Sequence, residues 1–368
     1  MRIAIVGAGS LGTVVGTMLT KAGLDVSMVD ANQEHVAAMS QKGSKVVGML
    51  DITQQVRAVT PDGMEGIYDL VIYLVKAFYD EQALPQVLPH LGEDSVLITL
   101  QNGIPEEKVA SFVGRERTLG GTVMWAAELL EPGVSRMTTD PDQMDYDIGE
   151  LDGRVTERIK RVKSVLDHAG TAHITENLQG LRWTKLLFNV GGSGMSTVLG
   201  VAGGEVMNHD KAIDGVIHIL IETILTARAL GVKMEPIRGV DMGVILDIAR
   251  QDMGNLRSLL RNTASDFQDS KASMLQDLEK GRPCEVESLN GYLAEMAAKA
   301  GVAAPVNDQV TKMIREIQDG KRLYQFSNLD LLELPPMSIY FQDLLSTIHS
   351  ERRENDTRRT QSGDQTRF

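Results

Sequence analysis

The 368 residues carry 37 Lys+Arg against 50 Asp+Glu, a net charge of −13, with 42% hydrophobic and 24% charged residues. This is the composition of a globular chain long enough for two cores, and its negative balance argues against nucleic-acid or anionic-membrane partners. One cysteine, Cys284, argues against a disulfide framework and for a reducing, cytoplasmic setting, while seven histidines without ligand spacing give no metal site.

The N-terminal apolar run reads as a first strand rather than a signal peptide, and no stretch is apolar for long enough to span a bilayer. That strand runs into Gly7-Ala8-Gly9-Ser10-Leu11-Gly12, where a helical pattern begins. Gly7 allows the tight turn, Gly9 lets the backbone approach a pyrophosphate, and Gly12 lets helix and strand pack closely. A second strand at 24–29 ends in Asp30, placed to accept hydrogen bonds from the hydroxyls of an adenosine ribose. The spacing predicts a dinucleotide site on a doubly wound parallel sheet of Rossmann type.

Residues 70–75 and 96–100 are near-continuous apolar runs, as expected of strands covered on both faces. The first ends in Lys76 and the second in Gln101-Asn102-Gly103, with Pro105 at a helix start. Ligands of open α/β sheets bind beyond the carboxyl ends of strands, so Lys76 and Asn102 fall on the ligand edge with the glycine turn. Further strands are predicted at 119–124, 134–137 and 172–175, with a helix at 154–168. From Asn177, a suitable N-cap, apolar residues recur at helical spacing. Helices are predicted at 178–190, 212–230, 236–253, 273–280, 283–300 and 307–319. The domains are therefore 1–176, a dinucleotide-binding sheet, and 177–320, an all-helical substrate domain. A C-terminal extension at 321–350 and an unstructured, half-charged tail at 351–368 follow, and a cleft between the domains is the default substrate site.

In Trp183-Thr184-Lys185-Leu186-Leu187-Phe188-Asn189, Lys185 and Asn189 are four apart and share a helix face. They form either a solvated stripe or an ammonium and an amide facing the cleft. Ser273 is either a helix N-cap or a ligand, and Glu285 either a first-turn carboxylate behind Pro283 or a functional one.

The ordered set Gly7-x-Gly9-x-x-Gly12, Lys76-Ala77, Gln101-Asn102-Gly103, Lys185…Asn189, Ser273-Met274-Leu275-Gln276-Asp277 and Glu285…Asn290-Gly291 resembles the ketopantoate reductase family over residues 1 to about 320. The resemblance implies reduction of a small-molecule 2-oxo acid, 2-dehydropantoate to pantoate in pantothenate biosynthesis, by a nicotinamide cofactor in a homodimer. It casts Lys185 as the catalytic lysine and Glu285 as the glutamate beside the substrate, also near the cofactor. Asn102 stands at the nicotinamide–substrate junction, Asn189 and Ser273 as substrate ligands, and Lys76 near the cofactor. An ammonium can stabilise and then protonate the oxyanion that hydride delivery creates.

Three features depart from that pattern. Asp30 would repel a 2′-phosphate, which favours NAD(H), although Lys76 keeps NADP(H) open. Ser193 stands where the family often has a second asparagine, inside Gly191-Gly192-Ser193-Gly194. This run either terminates the helix or leaves room for a bulkier, even aromatic, 2-oxo acid, as for an NAD-dependent D-2-hydroxyacid dehydrogenase. The extension past 320 covers either the domain or an interface. A non-catalytic dinucleotide-binding sensor is the reading from another class, and Lys185, Asn189, Ser273 and Glu285 together speak against it.

Overall fold

A computed structural model describes residues 1–236, 240–263, 268 and 271–341. They group into two compact units. The first holds Met1–Leu186, with Val232–Glu235 and Glu287–Leu289 returning to it; the second holds Leu187–Gly231, Pro236–Val286 and the described residues from Asn290 onward. The grouping thus divides inside the helix Leu178–Phe188, ten residues after the boundary at 176. The tail at 351–368 lies outside the described residues.

The strands of the first unit are β1 (Arg2–Val6), β2 (Asp25–Val29), β3 (Ser44–Gly48), β4 (Ile52–Gln54), β5 (Arg57–Val59), β6 (Tyr68–Tyr73), β7 (Leu91–Thr99), β8 (Thr118–Val123), β9 (Ala127–Glu131), β10 (Val134–Met137), β11 (Asp145–Glu150) and β12 (Thr171–Ile174). Eight of them form one sheet in the order β12-β11-β8-β7-β6-β1-β2-β5. Strand order reverses at β1, the switch point at which such sheets bind nucleotides. Along β1, Ile3 and Ile5 join one core with Val14, Val15 and Leu19, while Ala4 and Val6 join another with Tyr73, Leu84 and Val109. That two-sided burial is why its sequence reads as one apolar run.

The sheet is parallel except where β11 runs antiparallel to β8. β11 escapes a reading of the sequence because only Tyr146 and Ile148 face the core, between half-buried Asp145 and Asp147. A second sheet, β4-β3-β10-β9, packs against the helix Ser10–Lys21, and only its β10 is readable from sequence.

In the second unit, the helix Asp210–Ala229 is buried around most of its circumference, so it is central. Gly203–Asn208, Met242–Gln251, Met253–Thr263, Tyr292–Ala300 and Pro305–Gln318 pack against it. The helix predicted at 236–253 instead starts at Met242, with Asp241 accepting from Gly243 N at 2.7 Å, and stops where Asp252 turns extended. Residues 237–239 lie outside the described set. The described part of the extension, 321–341, covers its own helical unit: Asn328 Nδ2 donates to Val198 O at 2.8 Å, and Tyr340 is buried.

Candidate functional site

The glycine turn is built as its sequence requires. Gly7 has φ +87°, and a Cβ there would lie 2.6 Å from Val75 N; a Cβ on Gly12 would lie 2.3 Å from Gly7 O. At Gly9 a Cβ would meet nothing within 4 Å, so that backbone is open to a ligand, and the helix begins at Ser10 with no side-chain cap. Ala8, Gly9, Ser10 and Leu11 therefore fit a pyrophosphate, whose charge the helix N-terminus favours.

The turn has supports that no motif announces. Ala8 O accepts from Thr13 Oγ1 at 2.8 Å and lies 2.7 Å from His35 Nε2, while His35 Nδ1 accepts from Gly133 N at 2.9 Å. The acceptor role of Nδ1 makes Nε2 the protonated nitrogen, so buried His35 is a neutral tie between the turn and the second sheet. Ser135 Oγ, on β10, donates to Ser10 O at 2.8 Å. Gly7→Ala is expected to cost about 1–3 kcal/mol from φ alone, before the clash with Val75. Titration of intrinsic fluorescence with NADH should show binding lost; retained affinity would remove the turn from the cofactor site.

Asp30, Lys76 and Asn102 follow the ends of β2, β6 and β7. Asp30 is half-buried and its Oδ1 accepts from Asn32 N at 2.9 Å. Past it lies a recess of about 490 Å³, lined in part by Ala31, Gln33, Asp62 and His90 and, among the described residues, by no lysine or arginine. Lys76 opens a single tight turn, Ala77–Tyr79. Beneath Asn102, Gln101 Nε2 donates to Val75 O and to Asp80 Oδ1, both at 2.8 Å, and Tyr73 OH donates to the same oxygen at 3.0 Å. Burial pushes the Asp80 carboxyl above the usual carboxylate range, against the pull of those donors and of Lys108.

Lys185 completes the edge. Its Nζ donates to Val123 O, at the end of β8, at 2.7 Å. On the neighbouring β11, burial raises the Asp147 carboxyl, with His173 and Lys185 among the charges opposing that rise. Because β8, β7, β6, β1 and β2 are consecutive neighbours, their carboxyl ends carry, in order, the Lys185 ammonium, Asn102, Lys76, the glycine turn and Asp30.

The second unit holds Asn189, Ser193, Ser273 and Glu285. The glycine run does not end the helix: Asn189–Ser193 is a π turn, continued by Gly194–Leu199. An i→i+5 turn carries Ser193 off the face that a four-residue spacing assigns it, and such turns recur at functional sites. Asn189 Nδ2 is buried without a hydrogen-bond partner among the described residues, as a donor kept for a ligand would be. A Cβ on Gly192 would meet only Met207 Cε, at 4.0 Å.

Ser273 is the first residue of the helix Ser273–Glu279, not its N-cap; Ala272 is, and no side chain caps it. This helix packs against the π turn and against Gly194–Leu199. The helix predicted from Pro283 is absent there. Cys284 N is drawn to Gln318 Oε1 at 2.9 Å, and a second π turn, Glu287–Gly291, leads into Tyr292–Ala300. Glu285 is buried in the irregular stretch before it.

Asn290, from that second π turn, is a residue the motif contains but sequence reasoning gave no role. Its Nδ2 donates to Val190 O and to Asn307 Oδ1, both at 3.0 Å, and Asn307 Nδ2 donates back to Asn290 O at 3.0 Å. The two π turns are thereby stapled through buried amides. Among the described residues, no three of His, Cys, Asp and Glu could hold a metal, and no helix is long and apolar enough to cross a membrane.

Comparisons with known proteins match two successive segments of the chain. Residues 3–153 match the family model described as Ketopantoate reductase PanE/ApbA, and 177–318 the model of its C-terminal part. The chain is 28% identical to a 2-dehydropantoate 2-reductase of Pyrococcus horikoshii, over 83% of this chain and 94% of that one. Its identity to the enzyme of that name from Archaeoglobus fulgidus is also 28%, over 87% and 98%. Among solved structures, D-mandelate dehydrogenase with NADH and anilino(oxo)acetate matches with a TM-score of 0.76 at 25% identity, covering 87% of this chain and 99% of that one. The 2-dehydropantoate 2-reductase of Geobacter metallireducens matches with 0.74 at 27%, covering 86% and 99%.

Proposed function

Because the chain belongs to the ketopantoate reductase family, we propose that it reduces a 2-oxo acid with a nicotinamide cofactor, and that 2-dehydropantoate is the first substrate to try. The supporting observation is the order along the sheet edge, with Lys185 and Asn102 at one end of a row that closes on the glycine turn and Asp30. Bound there, the cofactor supplies the hydride. Gly7 to Gly12 and Lys76 hold its phosphates, and Asn102 orients the reacting end. Lys185 donates a hydrogen bond to the ketone oxygen as charge builds on it, then gives up the proton. Asn189, Ser193 and Ser273 bind the substrate's polar groups, with Glu285 beside the substrate.

NADH is the preferred cofactor in this reading. Asp30 meets the ribose, and the recess beyond it offers a second carboxylate, Asp62, and, among the described residues, no lysine or arginine for a 2′-phosphate. A preference of about tenfold or more in kcat/KM corresponds to roughly 1.4 kcal/mol of that repulsion. Equal use of NADPH would refute it.

A second substrate class is favoured by one position. The open space at Gly192 suits a bulkier, apolar 2-oxo acid better than a small hydroxylated one. A panel of aliphatic and aromatic 2-oxo acids with each cofactor, followed at the nicotinamide absorbance, decides between them. No oxidation of either cofactor across the panel, with NADH still bound, would leave the sensor reading instead. A homodimer in the cytoplasm completes the proposal, and sedimentation as a monomer at micromolar concentration would remove the first part.

A further inference from the structure

Arg182 lies one turn before Lys185 on the same helix and is 1% exposed. A guanidinium keeps its charge in proteins and is costly to bury unless its donors are met. Here they are met by one short loop. Nε donates to Glu106 Oε1 at 2.5 Å, an oxygen that a terminal nitrogen also contacts. The other nitrogens donate to Gln101 O at 2.6 Å and Thr99 O at 3.1 Å.

These acceptors bracket Asn102, two before it in the chain and one after. Glu106 is itself 5% exposed, in the first turn of the helix Glu106–Val113. The loop is fixed from outside as well: Gly103 has φ +79°, and a Cβ on it would lie 2.5 Å from Ser288 O. From the other side the Gln101 amide ties the loop to Val75, next to Lys76. The helix that carries Lys185 and the strand end that carries Asn102 are thus joined through a single planar cation.

We propose that Arg182 is a positioning residue for the reduction, holding Lys185 and Asn102 in register at one reacting carbonyl. The proposal rests on the reading of Lys185 as proton donor. Packing alone does not require this arrangement, since a buried ion pair is weak evidence for stability and apolar pairs of similar volume often serve as well. Directional bonds to two carbonyls and a carboxylate are what an apolar pair cannot supply.

The test separates register from stability. Arg182→Met alone leaves the Glu106 carboxylate buried and unpaired, so it is paired with Glu106→Leu in a double variant. This variant is expected to melt near the wild type and to bind NADH within about twofold, yet to lose about 10²-fold in kcat with KM little changed, the penalty of a small misplacement. A double variant that recovers kcat with its melting temperature would overturn the proposal.

Arg182→Lys serves if the double variant does not fold. It can keep the ion pair but not both carbonyl bonds, so a loss of about tenfold in kcat at an unchanged melting temperature is expected. Full activity in this variant would equally overturn it. If the wild-type chain oxidises NADH with no 2-oxo acid, the functional reading fails instead, and that outcome is distinct from either.

Discussion

Lys185→Ala is expected to lower kcat for 2-oxo acid reduction by about 10³-fold, within the span typical for a positioned general acid, while NADH affinity stays within about twofold. The asymmetry follows from where the residue sits. Lys185 stands at the end of β8, the far end of the edge from the glycine turn and Asp30, so its loss leaves the turn and the carboxylate proposed to hold the adenosine and pyrophosphate intact. The lost interaction is one made in the transition state, when the ketone oxygen acquires charge, and such losses appear in kcat rather than in binding. Lys185→Arg should recover little: the charge remains, but a guanidinium stays protonated and gives up no proton. A pH profile adds an independent readout. An alkaline limb of kcat that reflects the ammonium should vanish from the residual activity of Lys185→Ala. Near-normal turnover in a folded Lys185→Ala variant would take the residue out of the chemistry.

What could be read from sequence here was local, and what could not depends on distant partners. The glycine turn announces itself because each glycine answers a steric demand within a few residues. β1, β6 and β7 announce themselves because burial on both faces gives each a near-continuous apolar run. β11 does not, since its apolar core residues are only Tyr146 and Ile148, interleaved with half-buried Asp145 and Asp147. Arg182 belongs to no motif in the sequence; its meaning comes from acceptors about 80 positions upstream. His35 is equally mute, one histidine whose role appears only when Ala8 and Gly133 fall on either side of its ring. The π turns elude a 3.6-residue template by construction, so Gly191-Gly192 was open to reading as a terminator when it is the middle of a continuing helix.

Replacing Glu222 should give the largest loss of stability, although it lies outside the reacting groups. Its fully buried carboxylate accepts from Val306 N at 3.0 Å, Asn307 N at 2.8 Å and Tyr340 OH at 2.7 Å. Glu222→Leu strands all three donors, and at about 1–3 kcal/mol per unsatisfied buried group a loss of about 3–5 kcal/mol is expected. Asn307 is also the residue that braces Asn290 against the π turn at Val190, so the injury should reach the turn that carries Asn189 and Ser193 too.

The milder Glu222→Gln isolates the charge. Burial pushes this carboxyl up to about 7, against the pull of its three donors, with Asp308 adding to the rise. An acid raised in the folded state stabilises the fold fully below its unfolded value near 4.5 and loses that contribution as pH rises to about 7. The melting-temperature advantage of wild type over Glu222→Gln should therefore shrink across that window by the equivalent of about 3 kcal/mol, and stay level above it. His218, 2.9 Å from Tyr340 OH and pushed down to about 4 by burial, has the opposite sign: it costs stability as pH falls from 6.5 towards 4. It is present in both proteins, so the difference between them cancels it. Tyr340→Phe removes one donor from the ionised form, which should carry the window above pH 7; a pH-independent difference in both comparisons would show that Glu222 is not the group that titrates.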